Sequence, residues 1–192
     1  MKSLSEKAPK SFPRLMIATV LLSIWLCMPA SVVGQSNECV LIRDDRNPSE
    51  KILRCGSNLT VRSAPNTRYR LTNPDNRRQP TGARLDSGAL MIEFTPNEGR
   101  RDFRILTPHA ITAVRGTRWA VEVGPGQTST LVISGAVEVM RRNSRRGTAP
   151  GAQESVVLGA GEGVDVSAGT GPLMAKRWAQ TRIDALMARF GR

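Results

Sequence analysis

The sequence predicts an all-β protein, a sandwich or barrel-like roll of about eleven short strands followed by one C-terminal helix. Three observations lead to this prediction. After Cys39 the apolar residues come in short alternating runs. Gly, Pro, Asn and Asp separate the runs, and a helical period appears only after Pro172. Many short strands with turns between them are typical of sandwiches and rolls.

The predicted strands are three to five residues long and are linked by turns such as Asp86-Ser87-Gly88 and Ser134-Gly135. Because so few residues join the two strands around Gly135, we expect these strands to form a hairpin. The strands are predicted at 52–54, 59–62, 69–72, 90–94, 103–106, 111–114, 119–123, 131–134, 136–140, 155–158 and 164–166.

One amphipathic helix is predicted at the C-terminus, ending at Gly191. We expect its apolar stripe to dock on the parent domain and to cover one face of a sheet. A partner or a membrane is the alternative contact for the same stripe. The stripe consists of Ala179, Ile183, Leu186, Met187 and Phe190.

The N-terminus has the features of a bacterial export signal. Four basic residues and one acid precede the uncharged apolar run 15–28, and Pro29 and small residues up to Gly34 follow it. We expect cleavage after Gly34, which would release the mature protein into the periplasm. An uncleaved anchor in the membrane is the alternative, since the apolar segment extended to Gly34 reaches the length of a bilayer span.

The chain is strongly basic, with 28 Lys and Arg residues, 16 Asp and Glu residues and a net charge of +12. Removal of residues 1–34 would leave +9. Export argues against nucleic acid as the partner and points to anionic glycans or lipids of the envelope. The candidate anion-binding cluster, beside a predicted loop at 143–153, is Arg141, Arg142, Arg145 and Arg146. A solvated loop is the alternative interpretation.

Two of the three cysteines, Cys39 and Cys55, remain after removal of the predicted signal, which contains Cys27. In an oxidising compartment such a pair predicts a disulfide. A metal site would need more ligands than two cysteines and the single histidine, His109, provide. We therefore expect no bound metal.

The sequence offers no recognisable catalytic constellation. His109 stands between Pro108 and Ala110 at a turn-to-strand position, where a structural imidazole is common. The glycine-rich run 159–163 leads into a strand and not into a helix N-terminus, so it predicts a tight turn between strands. We expect neither enzymatic activity nor a cofactor.

One long motif stands out from this background, in the region 107–139, and a second short one follows at 157–163. Their residues are Thr107, Pro108, Ala110, Val114, Arg115, Gly116, Thr117, Trp119, Gly135, Gly161 and Glu162. The pattern resembles the FecR domain family, with its Thr-Pro-x-Ala start, Val-Arg-Gly-Thr centre, following aromatic residue, Gly-x-Val-x-Val strand and closing Gly-Glu turn. The resemblance extends over 89–166.

The resemblance implies an all-β, jelly-roll-like sandwich without catalytic residues. The best-known members relay a signal between an outer-membrane iron transporter and a cytoplasmic sigma factor. Only fourteen residues precede the apolar segment here, too few for the cytoplasmic sigma-binding domain. We therefore expect a short form of the family that acts in the envelope.

Within the motif, Gly116 is expected to adopt a backbone conformation that other residues resist, and Trp119 to point into the core together with Val121. Arg115 is expected to have a structural role. Its guanidinium would bracket backbone carbonyls or pair with a carboxylate, that of Glu122 or Asp165.

The predicted organisation is a signal peptide at 1–34, an N-terminal disulfide-containing β segment at 35–80, a FecR-like β domain at 81–170 and a C-terminal helix at 171–192. The predicted function is that of a non-catalytic regulatory or protein-binding module of the cell envelope, with a protein partner and a link to iron-uptake signalling. A basic protein that binds an envelope polyanion or glycan is the alternative.

Overall fold

The computed structural model describes residues 39–43, 50–73, 80–96, 102–142, 154–169 and 172–191. The predicted signal peptide and two of the clustered arginines, Arg145 and Arg146, lie outside these segments. The described residues form thirteen strands and one helix: β1 Cys39–Arg43, β2 Lys51–Cys55, β3 Leu59–Ser63, β4 Arg68–Thr72, β5 Gly82–Phe94, β6 Phe103–Leu106, β7 Ala110–Val114, β8 Thr117–Gly124, β9 Gln127–Ser134, β10 Val137–Arg141, β11 Ser155–Leu158, β12 Glu162–Ser167, β13 Lys176–Arg177 and α1 Gln180–Ala188.

The strands are arranged in two layers that share β5. Sheet A has the order β1-β2-β3-β5-β8-β9-β12-β13, and sheet B has the order β4-β5-β6-β7-β10-β11. Neighbouring strands are antiparallel except β5 and β6, which are parallel. The all-β prediction is confirmed, and each of the eleven predicted strands overlaps an observed one. The prediction missed β1, β13 and the first half of β5.

Strand β5 passes from sheet B into sheet A without interruption. Its first half pairs with β4 and β6, and its second half pairs with β3 and β8. The predicted turn at Asp86-Ser87-Gly88 is therefore wrong, because these residues lie inside the strand. The side chain of Thr67 supports the change of layer, since its Oγ1 accepts a hydrogen bond from the Ala89 N–H over 3.1 Å.

The strands before and after Gly135 do not form the predicted hairpin. Strand β9 pairs with β8 and β12 in sheet A, whereas β10 pairs with β7 and β11 in sheet B. The chain crosses from one layer to the other at Gly135. The same crossing is made between β7 and β8 at Gly116, so the two glycines mark adjacent corners of the sandwich.

The core lies between the two layers and is formed by every second residue of the strands. Trp119 and Val121 of sheet A and Phe103 and Ile105 of sheet B are fully buried. The period of two along each strand places these side chains on one face. The predicted inward orientation of Trp119 and Val121 is confirmed.

Helix α1 covers the other face of sheet A, which confirms the predicted docking of its apolar stripe. Leu186 and Phe190 are buried, and they form a second apolar cluster with sheet residues such as Met91, Ala120 and Leu131. Ala179 of the predicted stripe precedes the helix and is exposed. In the described part of the chain, no helix has the length and apolar character needed to cross a membrane.

The predicted disulfide joins Cys39 and Cys55, which are direct partners in the β1–β2 register. Cys55 is fully buried and contributes to the core, and Cys39 packs against the same cluster. The bond therefore fastens the edge strand β1, whose Val40 and Leu41 are exposed, to the body of sheet A.

Replacing both Cys39 and Cys55 with Ser is expected to lower the free energy of unfolding by about 2 to 4 kcal/mol. The bond closes a loop with a sequence separation of 16 residues, and its loss frees the unfolded chain. Urea denaturation of the variant and the wild type measures the difference. Thiol labelling of protein purified without reductant is the control, and labelled native protein would contradict the disulfide.

Candidate functional site

The first part of the motif builds a turn between β6 and β7. Thr107 is 1% exposed, and its Oγ1 accepts a hydrogen bond from the Ala110 N–H over 2.8 Å. The same Oγ1 lies 2.9 Å from Oγ1 of Thr128 in the opposite layer. Pro108 occupies the bend. Thr107 therefore closes the turn and ties the two sheets together inside the core.

The centre of the motif joins the two layer crossings. Gly116 has a φ of +64° and Gly135 has a φ of +86°, a region that side chains with a Cβ resist. Between them, Thr117 Oγ1 donates to the Ala136 carbonyl over 2.9 Å. A Cβ on Gly135 would lie 2.6 Å from the Gly116 carbonyl oxygen, so the two corners are in contact. The conformation predicted for Gly116 is confirmed.

The aromatic residue of the motif sits at the centre of the core. Trp119 is fully buried and meets Phe103 edge to face, with ring centroids 6.3 Å apart. Phe94 follows at 6.2 Å from Phe103. The three rings link sheet A to sheet B, so Trp119 has a structural position and no access to a ligand. Val114 and Ala110 are buried in the same core.

The closing turn of the family pattern connects β11 to β12. The Glu162 carboxylate accepts a hydrogen bond from the Gly159 N–H over 2.7 Å, and the Gly161 N–H donates to the Val132 carbonyl over 2.8 Å. The prediction of a tight turn at the glycine-rich run is confirmed. Gly161 and Glu162 hold the turn and fasten it to β9.

Arg115 does not have the predicted pairing. Glu122 is paired with Arg189 of the C-terminal helix region, and Asp165 is paired with Arg182. Both carboxylates lie on the helix-covered face of sheet A. Arg115 is exposed and lies directly after β7 of sheet B. It forms no ion pair with a described residue. The expectation of a structural pairing is therefore corrected.

Two arginines of the candidate anion-binding cluster make contacts within the fold. Arg141 Nε donates to Glu154 over 2.9 Å, and its Nη1 donates to the Ser167 carbonyl over 2.7 Å. Arg142 Nη1 donates to the Thr107 carbonyl over 3.2 Å. These contacts hold β10 against neighbouring segments and engage donors that a polyanion would otherwise use.

The sequence analysis missed the polar attachment of helix α1. Arg182 forms two hydrogen bonds with the Asp165 carboxylate, of 2.6 and 2.9 Å, and its guanidinium lies 3.6 Å from the Trp178 ring centroid. Trp178 in turn packs directly on Gly163, where a Cβ would come within 2.3 Å of the ring. The glycine in β12 was a signal for this close packing.

Burial of the Asp165 carboxylate opposes its ionisation, but the hydrogen bonds from Arg182 and Ser129 outweigh this effect and hold the pKa of Asp165 below its ordinary value. A carboxyl group with a lowered folded-state pKa stabilises the fold above its unfolded pKa. This contribution is lost as the pH falls through the folded-state pKa.

Replacing Asp165 with Asn is expected to loosen helix α1 at neutral pH, and acidification below about pH 4 is expected to loosen it in the wild type. Hydrogen exchange of the helix amides measures both effects. Asp184→Asn is the matched control, because Asp184 lies on the helix, is exposed and is bonded to Gln180 of the same helix. Equal protection in the two variants would contradict the role of Asp165.

His109 has the position expected of a structural residue. Its Nδ1 lies 3.3 Å from Thr128 Oγ1, and its carbonyl accepts the Arg142 N–H over 2.9 Å. Among the described residues, no group of three or more His, Cys, Asp or Glu side chains is placed to hold a metal ion.

The two layers differ in how their outer faces are covered. Helix α1 lies on sheet A, whereas no described helix or strand packs on the outer face of sheet B. The outward side chains of β6, β7 and β10 include Leu106, Ile111 and Met140, each half-buried. They form an apolar ridge across the sheet. Alternation along these strands could have indicated this ridge, but it does not show which outer face is covered.

A shallow depression of about 350 Å³ lies next to this ridge at the exposed end of β7. We call it the Arg115 depression. Its apolar part includes Val157, which is 63% exposed. Arg115 and Glu138 are charged residues of its lining. It is lined by Asp102, Ala113, Val114, Arg115, Ala136, Glu138 and Val157.

The charged residues on and beside the outer face of sheet B include more arginines than acids. Arg84 donates to Asp86 over 2.9 Å, and this bond holds the pKa of Asp86 below its ordinary value. Arg104 pairs with Asp102 over 3.0 Å. The arginines are Arg68, Arg70, Arg84, Arg104 and Arg115, and the acids are Asp86, Asp102 and Glu138.

Comparison with known proteins gives a family match and a fold match. Residues 49–138 match the model of the FecR protein family. Two crystal structures of a proposed anti-sigma factor from Parabacteroides distasonis, at 1.65 and 2.50 Å resolution, superimpose with a TM-score of 0.50 and 16% identity. The match covers 80% of this chain but only 62% of the length of each neighbour. At this identity the likeness concerns the fold. No curated protein matches the chain.

Proposed function

The chain belongs to the FecR family, through residues 49–138, and from this we propose that it is an exported, non-catalytic signalling module that binds a protein of the bacterial envelope. FecR proteins are regulatory and associated with the envelope. The description of the structural neighbours as an anti-sigma factor supports a role in signalling. The best-known members of the family relay iron-uptake signals, and we extend the proposal to a role in iron-uptake signalling for this protein.

The observation that carries this proposal is the outer face of sheet B, on which no helix or strand of the described residues packs. A sheet face with an apolar ridge and flanking charges is suited to a protein partner, because apolar contacts provide affinity and the charged rim provides orientation. The motif residues behind this face hold the sandwich rigid. The domain would therefore present a preformed surface and would need no chemistry of its own.

A matched pair of valines tests the proposal. Val157 on β11 is 63% exposed and belongs to sheet B, and Val40 on β1 is 59% exposed and belongs to sheet A. We expect Val157→Asp to lose the envelope protein that the wild-type protein captures, and Val40→Asp to retain it. Quantitative mass spectrometry of the captured fractions measures the difference. Equal capture by the two variants would place the binding surface elsewhere.

Ionic strength separates the protein partner from a polyanion. The net charge of +12 favours binding to anionic glycans or lipids, and such complexes weaken steeply as salt rises. A complex based on the apolar ridge is expected to persist between about 0.05 and 0.5 M salt. Capture only at the lower salt concentration, with glycan or lipid in the bound fraction, would favour the polyanion.

The proposed periplasmic location gives a further prediction. Intact protein from a periplasmic extract is expected to begin at Gln35, because the peptidase would cut after the small residue Gly34. Mass spectrometry of the intact protein determines the N-terminus. Recovery from the membrane fraction with residues 1–34 attached would contradict cleavage and indicate an anchor.

A further inference from the structure

We infer that the Arg115 depression is a recognition pocket for an apolar side chain that stands next to an Asp or Glu in the chain of a partner protein. The inference rests on the proposed function and adds to it the chemistry of the segment that is bound. Within the family-like motif, Arg115 differs from the other polar residues in its contacts.

The other polar residues of the motif form side-chain hydrogen bonds that stabilise the fold. Thr107 closes a turn and reaches the opposite sheet, Thr117 holds the two layer crossings together, and Glu162 caps the closing turn. Arg115 is exposed, and its guanidinium has no such contact with a described residue. Its role in the motif is therefore not explained by the contacts that stabilise the sandwich.

The position of Arg115 is nevertheless fixed by the fold. It directly follows β7 and directly precedes Gly116, whose positive φ turns the chain into the other layer. Thr117 Oγ1, which donates to the Ala136 carbonyl, also lies 3.2 Å from the Arg115 carbonyl oxygen. The backbone of Arg115 is thus held at a rigid corner. A guanidinium whose backbone is already fixed loses less conformational entropy when it binds a carboxylate than a guanidinium on a mobile loop does.

The other residues of the Arg115 depression indicate which kind of side chain stands next to the bound Asp or Glu of the partner. Ala113 and Ala136 in the lining are small, and Val157 presents an exposed apolar surface beside them. An aliphatic or aromatic side chain fits such a surface, and the adjacent carboxylate would accept paired hydrogen bonds from Arg115. Asp102 and Glu138 also line the depression, and their carboxylates would repel a second acidic residue of the bound segment.

Charge favours a different protein over a second copy of this chain. The outer face of sheet B carries more arginines than acids, and the whole chain has a net charge of +12. Two copies would bring like charges together, whereas an acidic segment would neutralise them. A second copy is therefore the rival occupant, and it predicts an Arg115-dependent dimer.

Selection of peptides tests the inference even before the partner protein is identified. A phage library of random peptides, held at both ends, is selected on the full-length protein produced with its own leader and, in parallel, on Arg115→Ala. Wild-type selection is expected to enrich an aliphatic or aromatic residue next to Asp or Glu. The enriched peptide is expected to bind Arg115→Ala about 10 to 100 times more weakly, as for a lost charge-assisted hydrogen bond.

A double-mutant cycle identifies the contact. Changing the peptide acid to its amide is expected to weaken binding to the wild type by the same factor and to leave binding to Arg115→Ala unchanged. Arg54→Ala is the matched control, because Arg54 is an exposed arginine of sheet A and its loss removes the same charge. Failure to enrich peptides, equal binding by Arg115→Ala, or equal loss in Arg54→Ala would overturn the inference. An Arg115-dependent dimer in sedimentation would also overturn it.

Capture of the envelope protein by Val157→Asp and by Arg115→Ala distinguishes a failure of this inference from a failure of the proposed function. If Val157→Asp loses the captured protein and Arg115→Ala retains it at full affinity, the outer face of sheet B binds a protein but the carboxylate contact is wrong. If neither variant loses it, both proposals fail.

Discussion

Trp119→Ala is expected to lower the free energy of unfolding by about 3 to 5 kcal/mol. The side chain is fully buried between the layers and packs edge to face against Phe103. Its removal loses the transfer free energy of a large apolar surface and leaves a cavity that the rigid sheets cannot close. Urea denaturation at neutral pH measures the effect, and the variant is expected to melt at a much lower temperature.

His109→Ala is the contrast for this variant. His109 is half-buried, and its ring makes one contact of 3.3 Å with Thr128. We expect it to lose about 1 kcal/mol, the value of an ordinary hydrogen bond, and to retain partner binding. Normal melting of Trp119→Ala together with abolished binding would show that Trp119 belongs to a recognition surface and not to the core.

Gly135→Ala is expected to lower the free energy of unfolding by about 2 to 5 kcal/mol, the sum of left-handed strain and overpacking. A Cβ at this position would lie 2.6 Å from the Gly116 carbonyl oxygen and 2.9 Å from Thr117 Oγ1. Neither atom can retreat easily, because both belong to the adjacent crossing between the sheets. Urea denaturation again measures the loss.

Gly126→Ala isolates the two contributions. Gly126 has a φ of +69°, close to that of Gly135, but a Cβ there would meet nothing within 4 Å. We expect it to lose only the strain, about 1 to 2 kcal/mol. Equal losses in the two variants would mean that the contact between the two corners contributes nothing to the fold.

Strand positions were largely predictable from the sequence because they depend on local alternation. The partners of the strands were not. The residues around Gly135 have the local pattern of a hairpin, yet β9 and β10 bind neighbours in different layers. The choice is made by contacts with β7, β8 and β12, which no short window contains. The same reason explains why Asp86-Ser87-Gly88 was mistaken for a turn.

The ion-pair partners of side chains, like the partners of strands, could not be predicted from the local sequence, as the environment of Arg115 shows. Glu122 and Asp165 were plausible partners by their positions on strands near the motif. Their actual partners, Arg189 and Arg182, come from the C-terminal helix region, 67 and 17 residues away along the chain. Competition among distant arginines decides which one pairs. The disulfide was predictable because only two cysteines remained in the predicted mature chain, so no such competition arose.

Thermal unfolding of Arg115→Ala, measured beside its affinity for the captured envelope protein, separates architecture from recognition within the motif. Arg115 is exposed and without an ion pair to a described residue, so the variant is expected to unfold within about 0.5 kcal/mol of the wild type. Its affinity is expected to fall by about 10- to 100-fold. A variant that melts at a clearly lower temperature and binds the partner with undiminished affinity would contradict this account, because Arg115 would then be one more residue of the fold.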